Sequence, residues 1–149
     1  MSTKSKCKIE ESFGYKLKRT QYALRRSMDE ILKAFNLTTP QYGVLSLLES
    51  KVSISNAELA KKSFVTPQTM HRIVSNLEKQ GLITKKNSKT HAKILQIELT
   101  NNGLKILNQA YEAISDLEHK IFLYMQDGSE VLLEELLLAC FNNINKLKI

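Results

Sequence analysis

Apolar positions recur at helical spacing over most of the chain. Between residues 10 and 35, Leu17, Leu24, Met28, Ile31, Leu32 and Phe35 fall at intervals of three, four and seven, which predicts one amphipathic helix ending at Asn36–Leu37. Thr39-Pro40-Gln41 and Thr66-Pro67-Gln68 repeat a phrase in which threonine caps a helix start and proline occupies the first turn. They predict helices over residues 40–50 and 67–80, the second closed by Gly81 in the left-handed conformation. Ser55-Asn56-Ala57-Glu58 has the form of a capping box and opens a short helix over 56–62. After Gly81 the period becomes two. Residues 82–84 read as a short strand, and Leu95, Ile97 and Leu99 alternate with Gln96 and Glu98 as a half-exposed one. Residues 85–93, with almost nothing apolar, read as a basic hairpin tip. Thr100-Asn101-Asn102-Gly103 opens a long helix striped by Leu104, Leu107, Tyr111, Ile114, Leu117, Ile121, Tyr124 and Met125. A turn at Asp127-Gly128-Ser129 precedes a last helix over 130–146, apolar on more than one side and so in need of cover from more than one side.

The middle of this order is helix, short capped helix, turn, helix, strand, basic hairpin, strand. That is a winged helix-turn-helix, with Ser63-Phe64-Val65-Thr66 as the turn. In the helix over 67–80, Met70, Ile73, Val74 and Leu77 face inward. Gln68, Arg72, Ser75 and Lys79 form the opposite line, flanked by Thr69, His71 and Asn76. These side-chain types reach base edges and phosphates. Together with Thr66 and Pro67 at the helix start and Lys86, Lys89, His91 and Lys93 in the wing, they are the candidate DNA-binding residues.

Charge sharpens this picture. The chain has 149 residues and a net charge of +7. From Lys51 to Lys93 there are nine basic residues against only Glu58 and Glu78, whereas the C-terminal third is acidic. A polyanion therefore has a preferred address. The composition is that of a folded protein, with 42% hydrophobic and 25% charged residues. With Cys7 and Cys140 alone, a disulfide framework or an all-cysteine zinc site is excluded. His71, His91 and His119 are widely spaced, and no Ser-His-Asp, P-loop or GxGxxG pattern is present. No metal, no cofactor and no enzymatic activity are expected. The segment at 131–141 is too short and too acidic to span a bilayer, and no signal-type apolar region follows the basic start, so no membrane association and a cytoplasmic location are expected.

From Leu37 to Gly103, and more loosely end to end, the chain resembles the MarR family of bacterial transcriptional regulators. The resemblance is carried by Leu37-Thr38-Thr39-Pro40-Gln41-Tyr42-Gly43-Val44-Leu45, Ala57-Glu58-Leu59-Ala60, Val65-Thr66-Pro67-Gln68-Thr69, Leu77-Glu78-Lys79-Gln80-Gly81-Leu82-Ile83 and Leu99-Thr100-Asn101-Asn102-Gly103. It implies a mainly α protein with a small antiparallel β-wing, acting as a homodimer on a near-palindromic operator, with repression relieved by a small ligand or an oxidant. In this reading residues 1–149 form a single domain. Residues 37–103 are the DNA-binding lobe, and 1–36 and 104–149 supply dimerisation helices through Ile9, Phe13, Leu17, Leu133, Leu136, Leu137, Phe141 and Ile144. Family wings commonly carry an Asp followed closely by Arg at the tip. The matching stretch here, Ser88-Lys89-Thr90-His91-Ala92-Lys93, has neither.

Two assignments stay open. Tyr15, Tyr22, Tyr42 and Tyr111 suit either plain aromatic packing or the lining of an effector pocket. Cys7, between Lys6 and Lys8, suits either an inert terminal thiol or a redox sensor, although the sensing position of the peroxide-responsive branch falls near Gly14. Cys140 reads as packing. Beside operator-specific regulation stand two alternatives, a non-specific architectural nucleic-acid binder and a thiol-based redox regulator.

Overall fold

A computed structural model describes residues 8–50, 54–87 and 95–147. Nine elements follow in order: α1 (Phe13–Leu32), α2 (Thr39–Glu49), β1 (Ile54–Ser55), α3 (Asn56–Lys62), α4 (Pro67–Lys79), β2 (Ile83–Asn87), β3 (Leu95–Leu99), α5 (Asn101–Phe122) and α6 (Ser129–Lys146). Short 3₁₀ turns at Ile9–Glu11 and Lys33–Phe35 flank α1. The expected mainly helical fold with a small antiparallel sheet is what is found. No described helix is long and apolar enough to cross a membrane.

The chain divides into two compact units, Met1–Ile114 and Ser115–Ile149. The core of the first is built from Leu32, Val44, Leu45, Leu59, Met70, Leu77, Ile97 and Leu107, all essentially inaccessible to solvent. The second contains the end of α5, a turn with Gly128 at φ 81°, and α6, none of whose residues is buried.

Helix starts follow the caps, with one correction. Thr66 caps α4, its side chain accepting the Thr69 N–H, and Ser55 caps α3 in the same way through Glu58 N–H. For α2 the cap is Thr38, not Thr39. Thr38 Oγ1 accepts the Gln41 N–H while Gln41 Oε1 accepts the Thr38 N–H at 2.9 Å, a reciprocal box that needs glutamine three residues after the cap. Thr39 thus becomes the first helical residue, and Pro40 the second.

Three helical segments of the first unit end in one motif. After Phe35, Ser63 and Gln80 come left-handed residues: Asn36 (φ 55°), Phe64 (φ 54°) and Gly81 (φ 69°). In each case the next residue donates back to a carbonyl five positions earlier: Leu37 to Leu32, Val65 to Ala60 and Leu82 to Leu77. This is the Schellman arrangement, which satisfies helix-end carbonyls.

The sheet order is β1-β3-β2, antiparallel throughout. β1 had no counterpart in the sequence reading. Ile54 pairs with Ile97 and Ser55 with Gln96, which ties the start of α3 to the wing. β2 is longer than expected. Residues 85–87, assigned above to a hairpin tip, are strand: Lys85 pairs with Ile97, Lys86 with Gln96 and Asn87 with Leu95. At the other end, Thr100 Oγ1 accepts the Gly103 N–H and donates to the Gly81 carbonyl, clasping α5 to the turn after α4.

Candidate nucleic-acid interface

α4 separates its faces as its spacing demands. Met70, Val74 and Leu77 are buried, and Ile73 packs against the core. Thr66, Pro67, Gln68, Thr69, His71, Arg72, Asn76 and Lys79 are exposed, and Ser75 is half-buried. The two threonines are committed locally: Thr66 Oγ1 accepts the Thr69 N–H at 3.2 Å and donates to Thr69 Oγ1 at 3.0 Å. Gln68 and Arg72, one turn apart on the outer face, are therefore the long polar side chains best placed to reach outward.

Asn56 was not among the sequence candidates. Its amide donates to the Pro67 carbonyl at 3.3 Å, and it shares a shallow depression with Gln68, His71 and Arg72. Its Oδ1 is buried without a hydrogen-bond partner among the described residues. The available signal was its place directly after the Ser55 cap, where a helix-turn-helix brings its first helix against the second.

Two wing lysines already face carboxylates. Lys85 Nζ lies 2.6 Å from Glu78 Oε2 on α4, and Lys86 Nζ lies 2.5 Å from Glu98 Oε2 on β3. The Lys85 pair joins the wing to the outer helix, and the Lys86 pair bridges the two strands. Lys89, His91 and Lys93 lie outside the described residues, as does Cys7.

The four tyrosines are not equivalent. Tyr42 of α2 and Tyr111 of α5 meet edge to face, their ring centres 5.6 Å apart at 78°. Burial pushes the Tyr111 hydroxyl above the ordinary phenol range. A hydrogen bond with Ser46 opposes that shift, and Glu49 adds to it. Tyr15 is exposed on α1. Tyr22 is exposed too, 6.0 Å from the Arg26 guanidinium, in a groove made by α1 residues alone. The eight residues assigned to dimerisation are all solvent-accessible in the protomer, from Leu133 at 40% to Ile9 at 74%.

A short capped helix, a turn, a second helix with a basic polar face and an adjoining antiparallel ribbon define a winged helix-turn-helix protein. The MarR family model matches residues 35–94, which take in α2, the helix-turn-helix and β2 and stop just before β3. An HTH-type transcriptional repressor of Mycobacterium tuberculosis is 29% identical over 108 residues, covering 72% of this chain and 78% of the relative. The fold matches wild-type MarR from E. coli in its apo form with a TM-score of 0.77 at 21% identity, covering 87% of this chain and 96% of that one. It also matches CouR bound to a 23-mer DNA duplex, with a TM-score of 0.80 at 24% identity, covering 91% and 99%. CouR from Rhodococcus jostii RHA1 bound to p-coumaroyl-CoA gives 0.79 at 18% identity, covering 91% and 95%. Residues 35–94 thus match the MarR family of transcriptional regulators, and the fold of the chain is the winged helix-turn-helix fold of these solved structures.

Proposed function

We propose that the protein is a homodimeric repressor that binds a near-palindromic operator in double-stranded DNA and is released from it by a small molecule. The observation that carries this reading is the outer face of α4, which sets Gln68, Arg72, Asn76 and Lys79 in solvent above a buried apolar stripe. Gln68, Thr69, Arg72 and Ser75 enter the major groove in this reading. Lys79, Lys86, Lys89 and Lys93 approach phosphate or the neighbouring minor groove. A second copy covers α6, whose Leu133, Leu136, Leu137, Phe141 and Ile144 are exposed in the protomer, together with Ile9, Phe13 and Leu17 near the other end of the chain. Two copies related by a twofold axis read two half-sites about one helical turn apart, which is why the operator is a near-palindrome. The likeness to CouR, found both with a DNA duplex and with p-coumaroyl-CoA, supports a regulator that answers to a ligand.

Selection of bound fragments from the source genome, followed by competition against random duplex, tests the reading. An inverted repeat bound well above random DNA is expected. Equal affinity for both duplexes would replace the repressor with an architectural binder, and a monomer at working concentration would remove the palindrome.

A further inference from the structure

The outer face of α4 is polar with one exception. Among its exposed residues, from the Thr66 cap to Lys79, Pro67 alone has a wholly apolar side chain. A helix start explains a proline there. It does not explain what surrounds the ring. Pro67 borders the depression that also takes in Asn56, Gln68, His71 and Arg72, among the residues best suited to read bases.

From α3, the Asn56 amide donates to the Pro67 carbonyl at 3.3 Å. A carbonyl in the first turn of an α-helix already has a partner in the N–H four residues on, so the helix does not need this bond to close. Its effect is to pin the first turn of α4, and the proline ring with it, to the first turn of α3. Asn56 Oδ1 is left buried with no hydrogen-bond partner among the described residues, a cost that calls for a reason. Holding Pro67 in place supplies one.

The same turn has little polar capacity left for a base. The Thr66 hydroxyl donates to Thr69 Oγ1 and accepts the Thr69 N–H. What the first turn presents outward is therefore chiefly one amide, Gln68, and one apolar ring. In the major groove an amide suits adenine, and the apolar group on a base edge is the C5-methyl of thymine.

We propose that the depression at Asn56 and Pro67 is a thymine-methyl subsite. The proline ring packs on the C5-methyl of one thymine in each half-site, and Asn56 is the positioning residue that holds the ring there. Gln68 faces the adenine of the same or the adjoining pair. Arg72 lies one turn beyond Gln68, about 6 Å along the helix, so the guanine it reads falls within about two base pairs. The assignment rests on the repressor reading, since it needs α4 in the major groove.

The test uses the full chain and the operator recovered by fragment selection. Each thymine of one half-site is replaced in turn by deoxyuridine, which lacks only the C5-methyl and keeps every hydrogen-bonding group. One position is expected to lose affinity by about fourfold, the ratio that corresponds to one buried methyl. Pro67→Ser leaves the Thr66 cap in place and should abolish the preference for thymine over deoxyuridine at that position. Asn56→Ala should reduce the preference there and not at other thymines, a pattern that a general loss of stability would not produce. An operator bound well above random duplex yet indifferent to every deoxyuridine overturns the subsite and leaves the repressor reading standing. A methyl-sensitive position that keeps its preference in Pro67→Ser overturns the subsite as well. A preference abolished by Pro67→Ser but untouched by Asn56→Ala removes the positioning role alone. Equal affinity for all duplexes overturns the repressor reading, and the subsite with it.

Discussion

Asp29 Oδ1 accepts two hydrogen bonds from Thr39, from the backbone N–H at 2.9 Å and from the hydroxyl at 2.7 Å. A carboxylate on α1 thereby satisfies the first N–H of α2 and sits at the positive end of that helix, supplementing the Thr38 box. The joint between the first two helices is thus polar and directional as well as apolar. It also explains why Thr39, though followed by proline, is not the cap: its hydroxyl is spoken for by a residue ten positions earlier.

Burial raises the Asp29 pKa, but the two Thr39 hydrogen bonds, with Arg25 and Lys33 nearby, outweigh it and hold the carboxyl below its ordinary 3.8. A depressed carboxylate pKa stabilises the fold above the unfolded value, and that contribution disappears as pH falls through the folded value. Asp29→Ala should therefore cost about 1 kcal/mol near neutral pH by urea unfolding. The side chain is 40% exposed, and solvent screening keeps the cost at that modest level. The gap between the two proteins should close under acid, from just below pH 3.8 downward. A gap that stays constant through that range would remove the charge from the explanation.

Phe64 occupies the position that Gly81 fills after α4 and Asn36 after the Lys33–Phe35 turn. A left-handed conformation costs a non-glycine residue roughly 1–2 kcal/mol, and the freedom glycine adds to the unfolded chain takes back about 0.5–1 kcal/mol. With the ring largely in solvent, Phe64→Gly should raise unfolding stability by about 0.5–1 kcal/mol. A fall in the urea midpoint would show that the ring contributes contacts that outweigh the backbone cost.

Two glycines in helices should behave oppositely when replaced by alanine. A Cβ at Gly103 would lie 2.0 Å from the Leu82 carbonyl oxygen, so α5 can approach the turn after α4 only without a side chain there. Gly103→Ala must push backbone from backbone and should destabilise by about 3 kcal/mol. At Gly43 nothing lies within 4 Å of such a Cβ. Gly43→Ala should stabilise α2 by roughly 0.5–1 kcal/mol. Thermal or urea unfolding of the pair compares the two directly, and equal effects would refute the close approach.

Much of this was legible in the sequence because it is local. The Thr66 and Ser55 caps, the Gly81 terminus and the inward line Met70, Val74 and Leu77 depend on residues within one or two turns of each other. β1 was not legible, since two residues carry no period, and Ile54 is a strand only because Ile97 lies opposite. Lys85 and Lys86 read as a loop on polarity alone. They are strand because β3 supplies hydrogen bonds and the acids Glu78 and Glu98 supply partners. Thr38 could have been separated from Thr39, since only Thr38 has a glutamine three residues on. Asn56 and Arg72 come from different helices, and no pattern along the chain announces the depression that only the packing of α3 against α4 creates.

Arg72 is exposed on α4 beside Gln68 and His71, where a guanidinium can reach two acceptors on a guanine edge. Arg72→Ala should reduce discrimination between the selected operator and random duplex by about 1–3 kcal/mol, whereas Lys79→Ala should weaken both duplexes alike and flatten the salt dependence. Competition binding at several salt concentrations reads both quantities. An unchanged specificity ratio for Arg72→Ala would take that residue out of the groove.

The Lys86–Glu98 pair makes the sharpest electrostatic prediction. Lys86 Nζ sits 2.5 Å from Glu98 Oε2 across the two strands, the lysine side chain 62% exposed and the glutamate 25%. If Lys86 meets phosphate in the complex, the phosphate must compete with a carboxylate already in place, so Glu98 subtracts from affinity in two ways: it holds the lysine and it repels the backbone. Glu98→Gln keeps the shape of the side chain and removes its charge. It should tighten binding to operator and random duplex alike, since phosphates are common to both, and steepen the dependence of log affinity on log salt by about one phosphate contact. Fold stability should change little, as exposed pairs contribute about 0–1 kcal/mol. Adding Lys86→Ala to Glu98→Gln should cancel most of the steepened slope. A slope indifferent to both substitutions would place the described part of the wing away from the DNA and leave the outer face of α4 to carry the contact.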